Sequence, residues 1–187
     1  VYLHKTTVSS EKVLVNTLLR ARNLIRDGKE IFATPCLKYF LINDIDADMF
    51  KTDDEAQHNY AMLDDNDIWS ALKVWVDDDD IILSTLAADL MNRNLFKVEI
   101  SSEPADGAHI EDIKKKLAAH YGISYEDTSY FVSADTIQKD MYDVNDDRIA
   151  ILFKDNTVKD ITEASEVMNI SLLSKKIRKY YLCYQRI

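Results

Sequence analysis

The chain of 187 residues is poor in the residues that interrupt or cross-link a fold. It has three glycines and two prolines, which are too few for long flexible linkers or a low-complexity segment. Its two cysteines, Cys36 and Cys183, lack the short spacing of a metal site and are too few for a disulfide scaffold. The sequence therefore favours one folded domain or two small ones, with thiols buried in a reducing cytoplasm.

Long apolar runs and an excess of positive charge are missing as well. No apolar stretch approaches the roughly 18 residues of a membrane span, and no signal peptide is visible. The formal net charge is −10, so the protein has no basic field that could release counterions from a nucleic-acid backbone. We therefore expect a cytoplasmic protein with neither a membrane nor a nucleic acid as partner. A small phosphate ligand needs only a local group of Lys and Arg and stays open.

The sequence also lacks the common catalytic signatures. Its four histidines, His4, His58, His109 and His120, show no H-x-x-x-H spacing, and neither a G-x-S-x-G motif nor a glycine-rich phosphate loop is present. These absences exclude sites built from adjacent residues, whereas distant residues can still converge in a fold. We predict no catalytic residue and no metal ligand within this chain.

The opening segment predicts a helix with Tyr2, His4 and Lys5 in its first turn or so. Gly28 follows as the residue that ends this helix. Its apolar positions repeat at helical spacing: Leu14, Leu18, Ala21 and Ile25. Thr34 and Pro35 then predict an N-cap and the first position of a second helix.

The rest of the first half also reads as helical. Residues 44–63 predict one short helix that ends near Leu63, and two further helices follow the acidic runs 64–67 and 77–80. Aspartates at helix N-termini complement the helix macrodipole, so we interpret both runs as caps rather than as metal or acid–base clusters. Two apolar stripes support these helices: Ile68, Leu72 and Trp75, then Ile82, Leu83, Leu86, Ala87 and Leu90.

The pattern changes at Lys97, where short β-branched and aromatic runs begin. KVEI, YFVSADT, RIAILFK and KYYLCYQRI predict strands, HIEDIKKKLAAHY predicts a helix closed by Gly122, and EASEVMNISLLSKKIR predicts a last helix. The sequence thus predicts an α+β protein. Its helical region would span residues 1–96, and a small α+β lobe of order β-α-β-β-α-β would span residues 97–187.

One acidic stretch has the spacing of a calcium-binding EF-hand loop. Asp44, Asp46, Asp48 and Glu55 occupy positions 1, 3, 5 and 12 of that pattern. The sharp turn of the loop needs glycine at position 6, where this chain has Met49. We favour a solvated acidic loop, and calcium binding remains an alternative.

Two small basic groups are the candidate anion sites. His4 and Lys5 lie in the opening turn, and Arg93 and Lys97 bracket the end of the helical region. Cations at a helix C-terminus are ordinary partners of the macrodipole. The functional interpretation is a phosphate site, because Arg offers a planar fork of donors and Lys a mobile point charge.

Three stretches, in this order and at about this spacing, resemble HD-domain phosphohydrolases of the deoxynucleoside triphosphate triphosphohydrolase-like branch. They are VYLHKTTVSSEKVLVNTLLRA, AMLDDNDIWSALKVW and MNRNLFKVEI, and RKYYLCYQRI is similar to a closing strand of that family. Such enzymes hold a divalent metal through His, a His-Asp pair and Asp, and the metal activates water. These ligands precede the stretch that VYLHK resembles, and this chain has no His-Asp dipeptide. The resemblance implies a C-terminal half without the metal core, inactive by itself, from an oligomeric parent that needs a metal.

The resemblance also implies roles for five residues. Tyr2 matches a tyrosine that lines the nucleotide pocket, and His4 and Lys5 match a His-Lys pair near a nucleotide or interface site. Arg93 and Lys97 match basic residues that, in regulated members, contact the phosphates of an activating nucleotide. Leu3 replaces a polar residue of the vertebrate branch, so the identity of the nucleotide stays open. The alternative is a complete, non-catalytic interaction or scaffold module.

Overall fold

A computed structural model of the protein describes residues 4–139, 150–160 and 177–187. Within these ranges it contains seven α-helices and a short 3-10 helix, Glu126–Tyr130. The α-helices are α1 Lys5–Arg26, α2 Pro35–Ile42, α3 Ala47–Thr52, α4 Asp54–Met62, α5 Asp65–Trp75, α6 Ile81–Met91 and α7 Gly107–Tyr121.

The described strands form two small sheets. They are β1 Lys97–Ser101, β2 Val132–Lys139, β3 Ala150–Leu152, β4 Val158–Asp160 and β5 Ile177–Tyr184. One sheet has the order β1-β5-β2, and β3 and β4 form an antiparallel hairpin that pairs Ile151 with Lys159. The predicted α+β class is confirmed.

The chain divides into two compact units. The first comprises the described residues up to Glu99 together with Asp106–Ala134 and Leu182–Ile187. The second comprises Ile100–Ala105 and the described residues from Asp135 to Tyr181. These units follow packing rather than chain order, and the division into regions 1–96 and 97–187 stays a prediction.

Helix α1 begins later than the sequence suggested. His4 is not in the first turn but is the N-cap, with extended backbone, and its Nδ1 accepts a hydrogen bond from the Thr6 N–H at 3.3 Å. At the other end, Gly28 has φ +88° and the Lys29 N–H donates to the Leu24 carbonyl at 2.9 Å. This is a Schellman motif, and it confirms Gly28 as the residue that ends the helix.

The acidic segment after α2 forms two helices instead of the predicted one. The predicted start of α2 is confirmed, because Thr34 is its N-cap and Pro35 its first residue. Asp53 then interrupts the helical path with φ −102° and ψ 99°, and its carboxylate accepts from the Ala56 N–H to start α4. The predicted end near Leu63 is correct. A side chain that caps a new helix so well competes with continuation of the old one.

The two acidic runs cap helices as predicted. Asp64 and Asp67 form a capping box at the start of α5, each side chain accepting from a backbone N–H. Asp80 is the N-cap of α6 and accepts from the Leu83 N–H at 2.9 Å. Capping explains these carboxylates without a catalytic role.

Helices α1, α5 and α6 enclose the main core of the first unit. Leu72, Trp75, Leu83 and Ala87 are essentially inaccessible to solvent, which confirms the two apolar stripes of α5 and α6. On α1 Ala21 is fully buried as predicted, whereas three other buried positions precede the predicted ones by one residue: Val13, Thr17 and Leu24. The buried face of α1 is thus broader than the predicted apolar stripe.

A second apolar cluster joins α7 to the 3-10 helix. Gly122 ends α7 in the left-handed conformation, φ +65°, as predicted. Tyr121 stacks on the buried Phe131 ring, with 5.1 Å between the ring centroids. Leu117 of α7 is fully buried as well. This packing places α7 with the first unit.

Along the chain, the structure contains one strand more than predicted, β4. The turn after RIAILFK is confirmed, because the Phe153 N–H donates to the Thr157 carbonyl at 2.8 Å. The chain then forms β4, a short strand that the sequence analysis did not separate from the turn. The predicted helix over residues 163–178 falls almost entirely outside the described residues. None of the described helices is both long enough and apolar enough to cross a membrane.

Candidate functional site

The first predicted group lies at the exposed start of α1. His4 and Lys5 are both exposed to solvent, and His4 uses Nδ1 for the helix cap. Tyr2, the third predicted member, lies outside the described residues. Because Nδ1 accepts the capping bond, Nε2 is the ring nitrogen that could bond a ligand, and Lys5 adds a mobile positive charge.

Arg93 is the residue that reverses the chain after α6. Its φ of +57° lies in the left-handed region, which costs a non-glycine residue about 1–2 kcal/mol. The Arg93 N–H donates to the Leu90 carbonyl at 3.2 Å, and the Asn94 N–H to the Asp89 carbonyl at 2.8 Å, as in a Schellman motif. The exposed guanidinium makes no ion pair and no hydrogen bond within the described parts of the chain. It is available to an anion.

Lys97, in contrast, already has a counter-ion. Its Nζ lies 2.7 Å from Glu99 Oε1 and 5.4 Å from the centre of the Tyr184 ring. The Tyr184 hydroxyl donates to the same Glu99 oxygen at 2.9 Å, and the His109 ring meets the Tyr184 ring edge-on. These four side chains come from β1, β5 and α7.

Lys97 and Glu99 are both charged at neutral pH. Hydrogen bonds with Glu99 and Tyr184 raise the pKa of Lys97, and hydrogen bonds from Lys97 and Tyr184 lower the pKa of Glu99. The pair therefore carries no net charge. An anion that approaches Lys97 has to compete with Glu99, so Arg93 is the more accessible of the two predicted cations.

A buried network holds the turn that presents Arg93. Asp89 is 6% exposed and accepts from Asn94 Nδ2 at 2.8 Å and from Gln185 Nε2 at 2.6 Å. Burial raises the pKa of Asp89, while these two hydrogen bonds oppose the rise. Burial, followed by the charge of Asp89, also raises the pKa of Tyr121. Gln185, the residue that follows β5, thus holds the end of α6 through Asp89.

The end of β5 also contacts α1 near the first predicted group. Cys183 is fully buried, with the Ser9 hydroxyl and the charge of Lys12 acting on its thiol. Burial raises the pKa of Cys183 to about 11, so the thiol stays protonated at neutral pH. The prediction of a buried thiol is confirmed for Cys183, whereas Cys36 is only partly buried.

A bidentate ion pair of the first unit lies outside the predicted site. Arg20 Nε and NH2 donate to both oxygens of Asp80 at 3.0 and 2.7 Å, and NH1 lies 3.3 Å from Asp127. The guanidinium also lies over the Tyr130 ring at 5.3 Å. Burial would raise the pKa of Asp80, but hydrogen bonds from Arg20 and the Leu83 amide lower it. This cluster joins α1, α6 and the 3-10 helix.

The acidic loop does not assemble a calcium site. Asp44 pairs with Arg22 and Arg26, Asp46 accepts from two backbone N–H groups of α3, and Asp48 pairs with Lys51 at 2.8 Å. Within residues 4–139, 150–160 and 177–187, no group of three or more His, Cys, Asp or Glu side chains could hold a metal ion. The resemblance places the metal ligands of the parent before this chain, and the metal of the parent stays a prediction.

Sequence reasoning missed the partners of the predicted cations. Glu99 could have been found, since the alternation of a strand places it on the same face as Lys97. Tyr184 and Gln185 could not, because 85 and 96 residues separate them from Glu99 and Asp89, respectively.

Comparison with known proteins shows a relationship to a phosphohydrolase. No protein-family model matches the chain. The crystal structure of a phosphohydrolase from Bacteroides thetaiotaomicron superimposes with a TM-score of 0.86 at 51% sequence identity, covering 100% of this chain and 46% of that one.

A second relative comes from Bacillus subtilis. The uncharacterized protein YwfO is 26% identical over 194 aligned residues, which cover 100% of this chain and 41% of YwfO. The chain therefore spans less than half the length of each of these two relatives.

Proposed function

We propose that this chain is part of an HD-type, metal-dependent phosphohydrolase that acts on nucleotides, and that it supplies groups for substrate and effector phosphates. The observation that supports the proposal is the match to a phosphohydrolase structure over the whole of this chain at 51% identity. The metal ligands of the proposed enzyme would come from residues outside this chain. We assign this chain the tasks of binding and orienting the ligand.

The exposed cations provide the groups for these tasks. Arg93 presents its fork of donors from a turn whose backbone is hydrogen-bonded at both ends, so a phosphate would meet an exposed guanidinium on a fixed stretch of backbone. Lys97 would add a second charge once its pairing with Glu99 is exchanged. At the start of α1, Tyr2, His4 and Lys5 would form one side of the substrate pocket.

The activity is tested on the longer protein and on this chain in parallel. We expect the longer protein to release phosphate or triphosphate from deoxynucleoside triphosphates with Mg²⁺ or Mn²⁺, and the 187-residue chain to release none. Robust turnover by the chain alone would contradict the assignment of the metal ligands to residues outside it. If the longer protein also fails to hydrolyse any phosphoester, the chain belongs to the second class, an interaction or scaffold module.

The proposed enzyme is a homo-oligomer in a cytoplasmic setting. Sedimentation of the longer protein tests the assembly, since a monomer at micromolar concentration would contradict it.

Lys5→Ala and His4→Ala are expected to raise KM more than they lower kcat, because groups that bind the substrate and the transition state equally well affect KM alone.

A further inference from the structure

An aromatic groove opens on the first unit between α2, α3 and α4. It has a volume of about 620 Å³, and most of its lining is apolar. Phe40, Ile45, Ala47, Phe50, Tyr60 and Leu63 form the apolar lining. The lining is thus unlike an ordinary polar surface cleft.

The centre of the groove is an exposed aromatic side chain. Tyr60 is 63% exposed, and its ring meets Phe50 edge-on at 5.3 Å and Phe40 edge-on at 6.5 Å. Two methionines of the same helices, Met49 and Met62, are also about half exposed or more, at 47% and 62%. Contiguous exposed apolar surface of this kind marks binding sites on soluble proteins.

The segment that builds the groove is strongly acidic. Residues 44–55 carry six carboxylates and one lysine. Asp44 is neutralised by Arg22 and Arg26, and Asp48 by Lys51. The other four carboxylates form no ion pair with any described residue: Asp46, Asp53, Asp54 and Glu55.

We infer that this groove binds a partner polypeptide segment whose apolar side chains are flanked by lysine or arginine. Apolar anchors would cover Tyr60 and Phe50, and flanking cations would meet Asp46, which lines the groove, and the other unpaired carboxylates of residues 44–55. A second copy of this chain does not fit, because its formal net charge of −10 repels this acidic segment. The aromatic lining fits the aliphatic stem of lysine or arginine as well as leucine.

The test uses fluorescence anisotropy with two labelled peptides and the full-length protein. One peptide is a 16-residue amphipathic helix of leucine and lysine, on the order of four helical turns, and the other replaces every lysine by glutamate. We expect only the basic peptide to bind, with an affinity that falls as salt rises. Equal binding of the acidic peptide would overturn the proposal.

A matched pair of variants separates the groove from general charge attraction. Tyr60→Ala changes no charge and is expected to weaken the basic peptide about 30-fold, the loss of a central anchor. Trp69→Ala, which removes an exposed aromatic ring outside the groove lining, should leave the affinity unchanged. An unchanged affinity in Tyr60→Ala, with circular dichroism showing an intact fold, would overturn the proposal.

A second pair tests the acidic segment 44–55. Asp54→Asn combined with Glu55→Gln should flatten the salt dependence, whereas Asp77→Asn combined with Asp79→Asn removes the same charge elsewhere and should not. An equal effect of both pairs would show attraction to the whole acidic surface and contradict a defined site. Self-association that Tyr60→Ala abolishes would identify a second copy as the occupant and overturn the basic partner.

Discussion

Arg20 and Arg93 carry the same charge in the same unit, yet they differ in every feature that decides what a guanidinium does. Arg20 is mostly buried, bonds both oxygens of Asp80 and lies over a tyrosine ring. Arg93 is exposed on a left-handed turn and bonds no described side chain. The comparison teaches that, in this protein, burial and partners mark the structural cation and exposure on a fixed turn marks the candidate binding cation.

The largest expected effect comes from breaking the Arg20 cluster. Asp80→Ala removes an N-cap and leaves Arg20 without its main partner, so the free energy of unfolding should fall by about 2–4 kcal/mol. Asp80→Asn keeps a capping side chain and should cost about 1–2 kcal/mol. Urea unfolding measures both. Equal losses in the two variants would mean that the cap contributes nothing beyond the ion pair, and an unchanged stability of Asp80→Asn would mean that the ion pair contributes nothing beyond the cap.

The buried network below Arg93 predicts a pH-dependent effect. The folded-state pKa of Asp89 is raised, so its contribution to stability is fully present below the unfolded-state pKa of about 3.9 and is lost as pH rises through the folded-state value. Asp89→Asn lacks this titration. Its stability relative to the wild type should therefore improve from pH 4 to about pH 7, as measured by urea unfolding at several pH values.

An exposed carboxyl whose pKa is shifted in the opposite direction, Asp112, provides the control for that experiment. Lys116 lowers the pKa of Asp112, so the stability that Asp112 contributes is lost as pH falls through its folded-state pKa. The stability of Asp112→Asn relative to the wild type should thus decrease as pH rises. The same trend in both variants would contradict the assignment of a raised pKa to Asp89.

A smaller effect of opposite direction is expected at Arg93 itself. Arg93→Gly relieves a non-glycine residue from the left-handed region and should stabilise the protein by up to about 1 kcal/mol. The same variant should lose affinity for nucleotide phosphates. A gain in thermal stability with unchanged nucleotide binding would leave Arg93 as a turn residue and remove it from the proposed site.

The smallest effect is expected at Lys97. Both partners of its ion pair with Glu99 are exposed to solvent, and such pairs contribute little to stability. Lys97→Met should therefore unfold at the same urea concentration as the wild type, within the error of the measurement. A clear loss of stability would indicate a structural role and blur the distinction from Arg20.

Local chemistry made much of this fold predictable. Gly28 and Gly122 end helices as expected, and Asp64 and Asp80 begin them, because caps involve residues a few positions apart. The strand β4 and the break at Asp53 were missed, since both depend on small differences between competing local structures.

The candidate site was less predictable because its partners are distant in sequence. Arg93 and Lys97 were found as isolated cations. That Lys97 is paired and Arg93 is not depends on β1 and β5, which bring Glu99 and Tyr184 together. No periodicity of a single segment carries that information.

Phosphate binding by Arg93 and Lys97 is tested most directly by nucleotide binding to the longer protein with Arg93→Ala and Lys97→Ala combined. We predict that dGTP or GTP raises the Tm of the wild type and leaves the Tm of the double variant unchanged, while an Arg186→Ala control behaves as the wild type. An equal rise in the wild type and the double variant would contradict the claim that these residues bind phosphate.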